Sequence, residues 1–198
     1  MNKIFILTIA MIFMGGCSLK DISKPIVRYD IEGNIKFHLK TRSDKILKVS
    51  RFKTPINLFS KEIWYQRKSL KVNSYLYSGW NQDFSTMVEQ EMSDALYKSR
   101  LFKSVFSDYS KVRADFVLEG EIVDALQHVE KNRAYVTFEV RLYLIDYKTS
   151  KLIGSNDFSY TQMCKSIDAA GAVEAYDEMM KTFNKEVILW LEKLVKEN

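Results

Sequence analysis

A chain of 198 residues, 46% hydrophobic and with only seven glycines and two prolines, has the composition of a regularly packed domain. This excludes disordered and low-complexity classes, which need low hydrophobicity. The net charge of +5 is unevenly spread: residues 17–80 carry fourteen Lys/Arg against five Asp/Glu, whereas residues 81–198 carry fifteen against twenty.

The first residues read as an export signal. Lys3 precedes an apolar run from Ile4 to Phe13, broken only by Thr8. A membrane-spanning helix needs roughly 20 apolar residues, so this run has the length of a signal-peptide core instead. Met14-Gly15-Gly16-Cys17 then resembles the bacterial lipobox. Its small residues expose the backbone to a peptidase that cuts between Gly16 and Cys17, and the Cys17 thiol is the nucleophile that accepts diacylglycerol. Two or more acyl chains anchor stably where one binds only marginally, so Cys17 is expected to hold the mature chain on a bilayer. Ser18, rather than aspartate, follows the cysteine and favours the outer membrane; inner-membrane anchoring is the alternative. Residues 1–16 are thus a lipoprotein signal peptide, 17–25 the lipidated cysteine with a short tether ending at Pro25, and 26–198 one domain. An exported chain of this kind is not expected to meet nucleic acid. The basic residues of its tethered half, Lys45, Lys48, Arg51, Lys53, Lys61, Arg67, Lys68 and Lys71, suit anionic head groups or an acidic protein surface, or are simply solvated.

Short β-like runs follow at Val27–Ile31, Ile46–Phe52, Ile63–Gln66 and Val72–Tyr77. The polarity period then changes. Phe84, Met87, Val88, Met92, Ala95 and Leu96 recur at three- and four-residue steps, predicting a core-facing helix of about five turns. Phe116 to Ile122 predicts another strand, with a polar connection over His128 to Asn132. Ala134, Val136, Phe138, Val140, Leu142 and Leu144 alternate strictly with polar or aromatic residues, the pattern of a strand with one buried face. Leu152 to Gln162 completes a three-strand meander. A final stripe, Ala169, Val173, Tyr176, Met180, Phe183, Val187, Trp190 and Leu194, predicts a helix of about seven turns with Asp168 at its N-cap. The expected class is α+β: a mostly antiparallel sheet with two long amphipathic helices packed on one face.

No catalytic constellation stands out. The sequence lacks the serine-hydrolase, zinc-protease and phosphate-loop signatures and multi-cysteine metal spacing, so no cofactor or metal is expected. His38 and His128 are 90 residues apart. Asp124 and His128 on one strand lie over about 10 Å apart. Glu119, Glu121 and Glu139 read as solvated strand-face charges, and Trp80 and Trp190 as packing residues. The one unmodified thiol, Cys164, is expected to be buried as a small apolar residue.

The order of features is recognisable. After the lipobox come Tyr29, "ILKVSRFKTPINL" (Ile46 to Leu58), "KEIWYQRKSLKVNSYLYSGW" (Lys61 to Trp80), a helix from Asn81, "ADFVLEGEI" (Ala114 to Ile122) and "YDEMMKTFNKEVILWL" (Tyr176 to Leu191). Over nearly all of the mature chain this resembles the ABC-type transport auxiliary lipoprotein family, accessory to MCE-type lipid transporters and represented in the paraquat-inducible system. The charged connection from His128 to Arg133 departs from the family pattern. The resemblance implies a non-enzymatic accessory in phospholipid transport, docking an MCE-domain protein and an ABC permease and ATPase in the cell envelope, with the domain facing the periplasm. Tyr135 and Tyr143, with Arg67 and Lys68, are the candidate partner contacts, and a second copy of the chain is a further candidate partner. The alternatives are an envelope-assembly or cell-wall-synthase-activating lipoprotein, or a periplasmic acyl-chain carrier.

Overall fold

The computed structural model describes residues 24–33, 35, 37, 39–55, 58, 60–67 and 71–197. Their strands are β1 (Val27–Tyr29), β2 (Ile46–Val49), β3 (Glu62–Arg67), β4 (Val72–Trp80), β5 (Ser104–Ser107), β6 (Phe116–Glu130), β7 (Arg133–Asp146) and β8 (Leu152–Met163). The helices are α1 (Phe84–Ser99) and α2 (Ala169–Glu197). The class is α+β, as the alternation of periods predicts. The sheet is not mostly antiparallel, however. Among the described residues it is mixed, with four parallel pairings (β1–β4, β2–β5, β2–β6, β3–β6) and three antiparallel ones.

β6 is the axis of the sheet. One edge pairs with β7 from Phe116↔Asp146 to Glu130↔Arg133, and β7 pairs in turn with β8, giving the predicted meander. Two short strands share the other edge end to end. β2 lies parallel to the start of β6 through Leu47↔Phe116, and β3 lies parallel to its end through Tyr65↔Gln127. Lys53 bridges the gap: its N–H donates to the Gly120 carbonyl and its own carbonyl accepts from Ile122 N–H, both at 2.8 Å. β5 flanks β2, β4 flanks β3, and β1 flanks β4.

β6 runs eight residues past the predicted end at Ile122, because the register shifts between Ile122 and Asp124. The extra residue, Val123, swaps the faces. Phe116, Leu118 and Ile122 are buried before the bulge, and Ala125, Gln127 and Val129 after it. A single alternating pattern therefore fails at Val123 although the strand continues. His128 lies within the strand, not in a connection, and the turn is confined to Lys131 and Asn132.

Gly120 faces inward between Leu118 and Ile122, and the Phe52 ring covers it. A Cβ there would lie 2.6 Å from two ring carbons of Phe52, a residue only 1% exposed. Gly120→Ala is expected to cost about 1–3 kcal/mol by overpacking, read by urea unfolding. Phe52→Leu in the same chain is expected to recover part of that loss.

Both helices pack on the face that carries the β7 stripe. Phe84 of α1 meets the Phe138 ring at 6.1 Å and the Tyr176 ring of α2 at 5.1 Å, while Phe183 meets Phe138 at 5.3 Å and Phe158 at 5.4 Å. Trp80 is buried against Phe84 and Tyr176, and Trp190 packs on Phe158, the packing roles that the sequence suggests. The chain after β1 then clamps α2. Glu32 N–H donates to Asp177 Oδ1 at 2.9 Å and Asn184 Nδ2 donates to the Gly33 carbonyl at 3.0 Å.

Asp168 caps α2 as predicted, its Oδ1 accepting from Gly171 N–H at 2.9 Å and from the Ser166 hydroxyl at 2.6 Å. These two donors, the Ser166 hydroxyl foremost, hold the carboxyl below its ordinary value of 3.8. A depressed carboxyl stabilises the fold above its unfolded pKa and loses that contribution as pH falls through the folded value. Asp168→Ala is therefore expected to cost about 1 kcal/mol at neutral pH. The variant should match the parent chain once acid has protonated the cap, which a series of denaturant melts from neutral pH to below 3.8 checks.

Candidate interaction surfaces

Gly16, Cys17, His38 and Lys68 lie outside the described residues. Tyr135 and Tyr143 stand on the outer face of β7, turned from the helices, and both are half-buried. Eight residues separate them, about 26 Å along a strand. Arg67 does not join them. It is paired with Val129, whose side chain belongs to the helix-covered face, and its guanidinium sits over the Tyr65 ring at 5.5 Å. The candidate contacts therefore divide between opposite faces of the sheet.

Around Tyr135 the outer face is built from four strands. Gln66, His128, Tyr135 and Met163 are in register across β3, β6, β7 and β8. The His128 ring stacks on Tyr135 at 4.8 Å with 15° between planes. Thr137 brings together the two groups that strand spacing separates: its hydroxyl donates to Asp124 Oδ2 at 2.5 Å and lies 3.2 Å from His128 Nε2. Because the single hydroxyl proton goes to Asp124, the contact with His128 requires Nε2–H as donor. A nucleophile relay needs the imidazole between hydroxyl and carboxylate; here the hydroxyl is in the middle, and the three groups form a cross-strand brace. These contacts arise because Asp124 and His128 are the diagonal neighbours of Thr137, whose register partner is Leu126.

Around Tyr143 the face is charged. Arg141 reaches Asp157 on β8 at 2.9 Å and Glu121 on β6 at 3.5 Å. Tyr143, Glu119, Glu121 and Lys53 border a surface depression of about 440 Å³. A second surface cavity, about 700 Å³, lies beside α1 and is bordered by Arg51, Glu89, Ser93, Tyr97 and Tyr109. There Arg51 Nη2 donates to Tyr109 Oη at 2.6 Å with its guanidinium over the ring. Burial pushes the Glu89 carboxyl up, and the nearby Arg51 charge opposes the shift. The basic residues of the N-terminal half thus have separate tasks; Lys48 Nζ, for one, donates to the Ser110 carbonyl at 3.0 Å.

A polar network hides on the inner face where β6 ends. Gln127 is 0% exposed. Its Oε1 accepts from Tyr75 Oη at 2.7 Å, and its Nε2 donates to the Asp168 carbonyl at 3.2 Å and to Cys164 Sγ at 3.7 Å. This ties β4 and β6 to the start of α2. Burial, reinforced by the Asp168 charge, pushes the Tyr75 hydroxyl up to about 12. Burial likewise pushes up the Cys164 thiol, leaving it a poor nucleophile at neutral pH. Cys164 is half-buried and hydrogen-bonded, more than the small apolar filler that its composition suggests. In the sequence Gln127 has no distinguishing mark, since the bulge at Val123 alone turns it inward.

Among the described residues no group of three or more His, Cys, Asp or Glu is placed to hold a metal ion. None of the helices among the described residues is long and apolar enough to cross a membrane.

No family model and no curated protein matches the chain. Solved structures do. Protein XCC0632 from Xanthomonas campestris, described under the family model DUF330, is similar at a TM-score of 0.73 and 17% identity, over 87% of this chain and 95% of that one. An uncharacterized protein is similar at a TM-score of 0.67 and 9% identity, over 85% and 99% of the two chains. Hypothetical protein CT253 from Chlamydia trachomatis gives 0.52 and 11%, over 79% and 100%. At these identities the likeness is one of fold, and the chain shares that fold over most of its length.

Proposed function

We propose that this chain is a lipid-anchored accessory protein of an ABC-type phospholipid transport machine, held to the outer membrane by acyl groups on Cys17 and docking an MCE-domain protein from its periplasmic side. The observation that carries this reading is the order of sequence features: a lipobox, then the strand, proline, tryptophan-led helix and terminal-helix pattern of the auxiliary lipoproteins. The filled interior favours docking over carrying an acyl chain. Between α2 and the sheet the space is taken by Phe138, Phe158 and Phe183, and the three described cavities, of about 440 to 700 Å³, border charged side chains at the surface. The chain acts by binding, with no chemical step of its own. Tethering raises its effective concentration toward partners near the same bilayer.

The test is crosslinking in intact envelopes followed by capture of the lipidated chain. MCE-domain and permease peptides are expected, and their consistent absence removes the transporter assignment. Peptides of a cell-wall synthase in their place support the rival docking role. Tyr143→Ala is expected to reduce capture while shifting unfolding stability by no more than about 1 kcal/mol, because it lies on the half-exposed outer face.

A further inference from the structure

We propose that the β1/β4 edge of the sheet is a membrane-docking surface that lies on anionic phospholipid head groups; this rests on the acylated anchor proposed above. β1 covers β4 only from Ser78 to Trp80. Val72 to Tyr77 have β3 on one side and, among the described residues, no strand on the other. An open edge of this kind is usually guarded by charge, yet here it carries apolar side chains. Leu76 is 80% exposed, the highest value among the large hydrophobic side chains described, and Ile26, Val27 and Tyr77 are each 50% exposed. The register Val27↔Ser78 sets Ile26 beside Tyr77, the residue next to Leu76 on β4.

Charge and chain length identify what covers this edge. Lys24 Nζ lies 5.6 Å over the Tyr77 ring. The described residues within 24–29 and 61–80 include five cations, Lys24, Arg28, Lys61, Arg67 and Lys71, against the single acid Glu62. Exposed apolar side chains with Lys24 over the Tyr77 ring match a bilayer interface, while the acids that follow β1, Asp30 and Glu32, border the α2 side. Each basic side chain close to an anionic leaflet is worth about 1 kcal/mol. Lys24 is seven residue steps from Cys17, which reach at most about 25 Å when fully extended. An acylated Cys17 therefore keeps this edge within about 25 Å of the head groups, close enough to dock. Tyr109, which follows β5, lies roughly 20 Å away along β6, since the end of β5 is level with Leu118 and Leu76 is level with about Ala125. Docking through β1 and β4 leaves the outer β7 face and the α1 cavity free for proteins.

The experiment uses the full lipidated chain on vesicles of phosphatidylethanolamine and phosphatidylglycerol. Leu76→Cys and Tyr109→Cys are each made in a Cys164→Ser chain, and their reaction with a membrane-impermeant maleimide is timed against the same thiol in the denatured chain. The thiol at position 76 is expected to slow by about tenfold or more and that at position 109 to react freely. Protection at 76 should persist when excess vesicles dilute the chain on the surface. Equal reactivity at both positions in a vesicle-bound chain overturns the docking surface and leaves the anchor standing. Protection that disappears on dilution assigns the edge to a second copy and also overturns it. A chain that fails to float with vesicles overturns the anchor itself.

Discussion

Replacing Cys17 by alanine is expected to abolish fatty-acyl labelling and to move the chain out of the lipoprotein fraction of the envelope. The acyl chains supply about 0.8 kcal/mol for each buried methylene, and stable attachment needs more than one anchoring signal. None of the described helices is long and apolar enough to substitute for them. The basic, apolar β1/β4 edge adds attraction but only of the reversible kind, so after loss of the acyl groups binding should become salt-sensitive. Metabolic labelling with palmitate and membrane flotation at two salt concentrations read both effects. Persistent acylation of the variant would refute the anchor, and with it the placement of the domain at an envelope surface.

Phe183→Ala is expected to be the most damaging single truncation of the core, costing roughly 3–5 kcal/mol. Phe183 is 0% exposed. Its ring meets Phe138 of β7, Phe158 of β8 and Tyr160 of β8 edge-on, at 5.3, 5.4 and 6.1 Å. Removing it opens a cavity where α2 rests on two strands, and the neighbours are too large to close it by small shifts. Against a usual domain stability of about 5–15 kcal/mol, that loss takes a large share of the total. Urea unfolding should show a lower midpoint with an unchanged slope. A loss under about 1 kcal/mol would mean that α2 is not held by this contact. Phe183→Leu should cost much less, since it keeps most of the volume.

These two variants separate the two levels on which the molecule works. The first is expected to remove location and leave the domain folded; the second is expected to weaken the domain and leave the proposed acylation site intact. A defect in partner capture produced by the first but not by outer-face variants such as Tyr143→Ala would place the value of the chain in its tether rather than in one contact.

Features set by a local period were legible in the sequence. The stripe from Phe84 to Leu96 and that from Ala169 to Leu194 became α1 and α2, and Ala134 to Leu144 became the buried face of β7, because a repeat of 3.6 or 2 residues places apolar side chains on one side whatever lies opposite. The Asp168 cap was legible for the same reason, as it bonds a backbone N–H three residues on. The short strand Ser104–Ser107 had no such period and passed unseen. Only the tertiary structure decided which strands are neighbours. The four parallel pairings join segments far apart in the chain, and an alternating pattern says which face is buried but not what pairs at the edge. One inserted residue, Val123, then determined that Gln127 lies inside and that Asp124 and His128 meet at Thr137. Periodicity is carried by a residue and its near neighbours; edge pairing and bulges are chosen by the packing of the whole sheet.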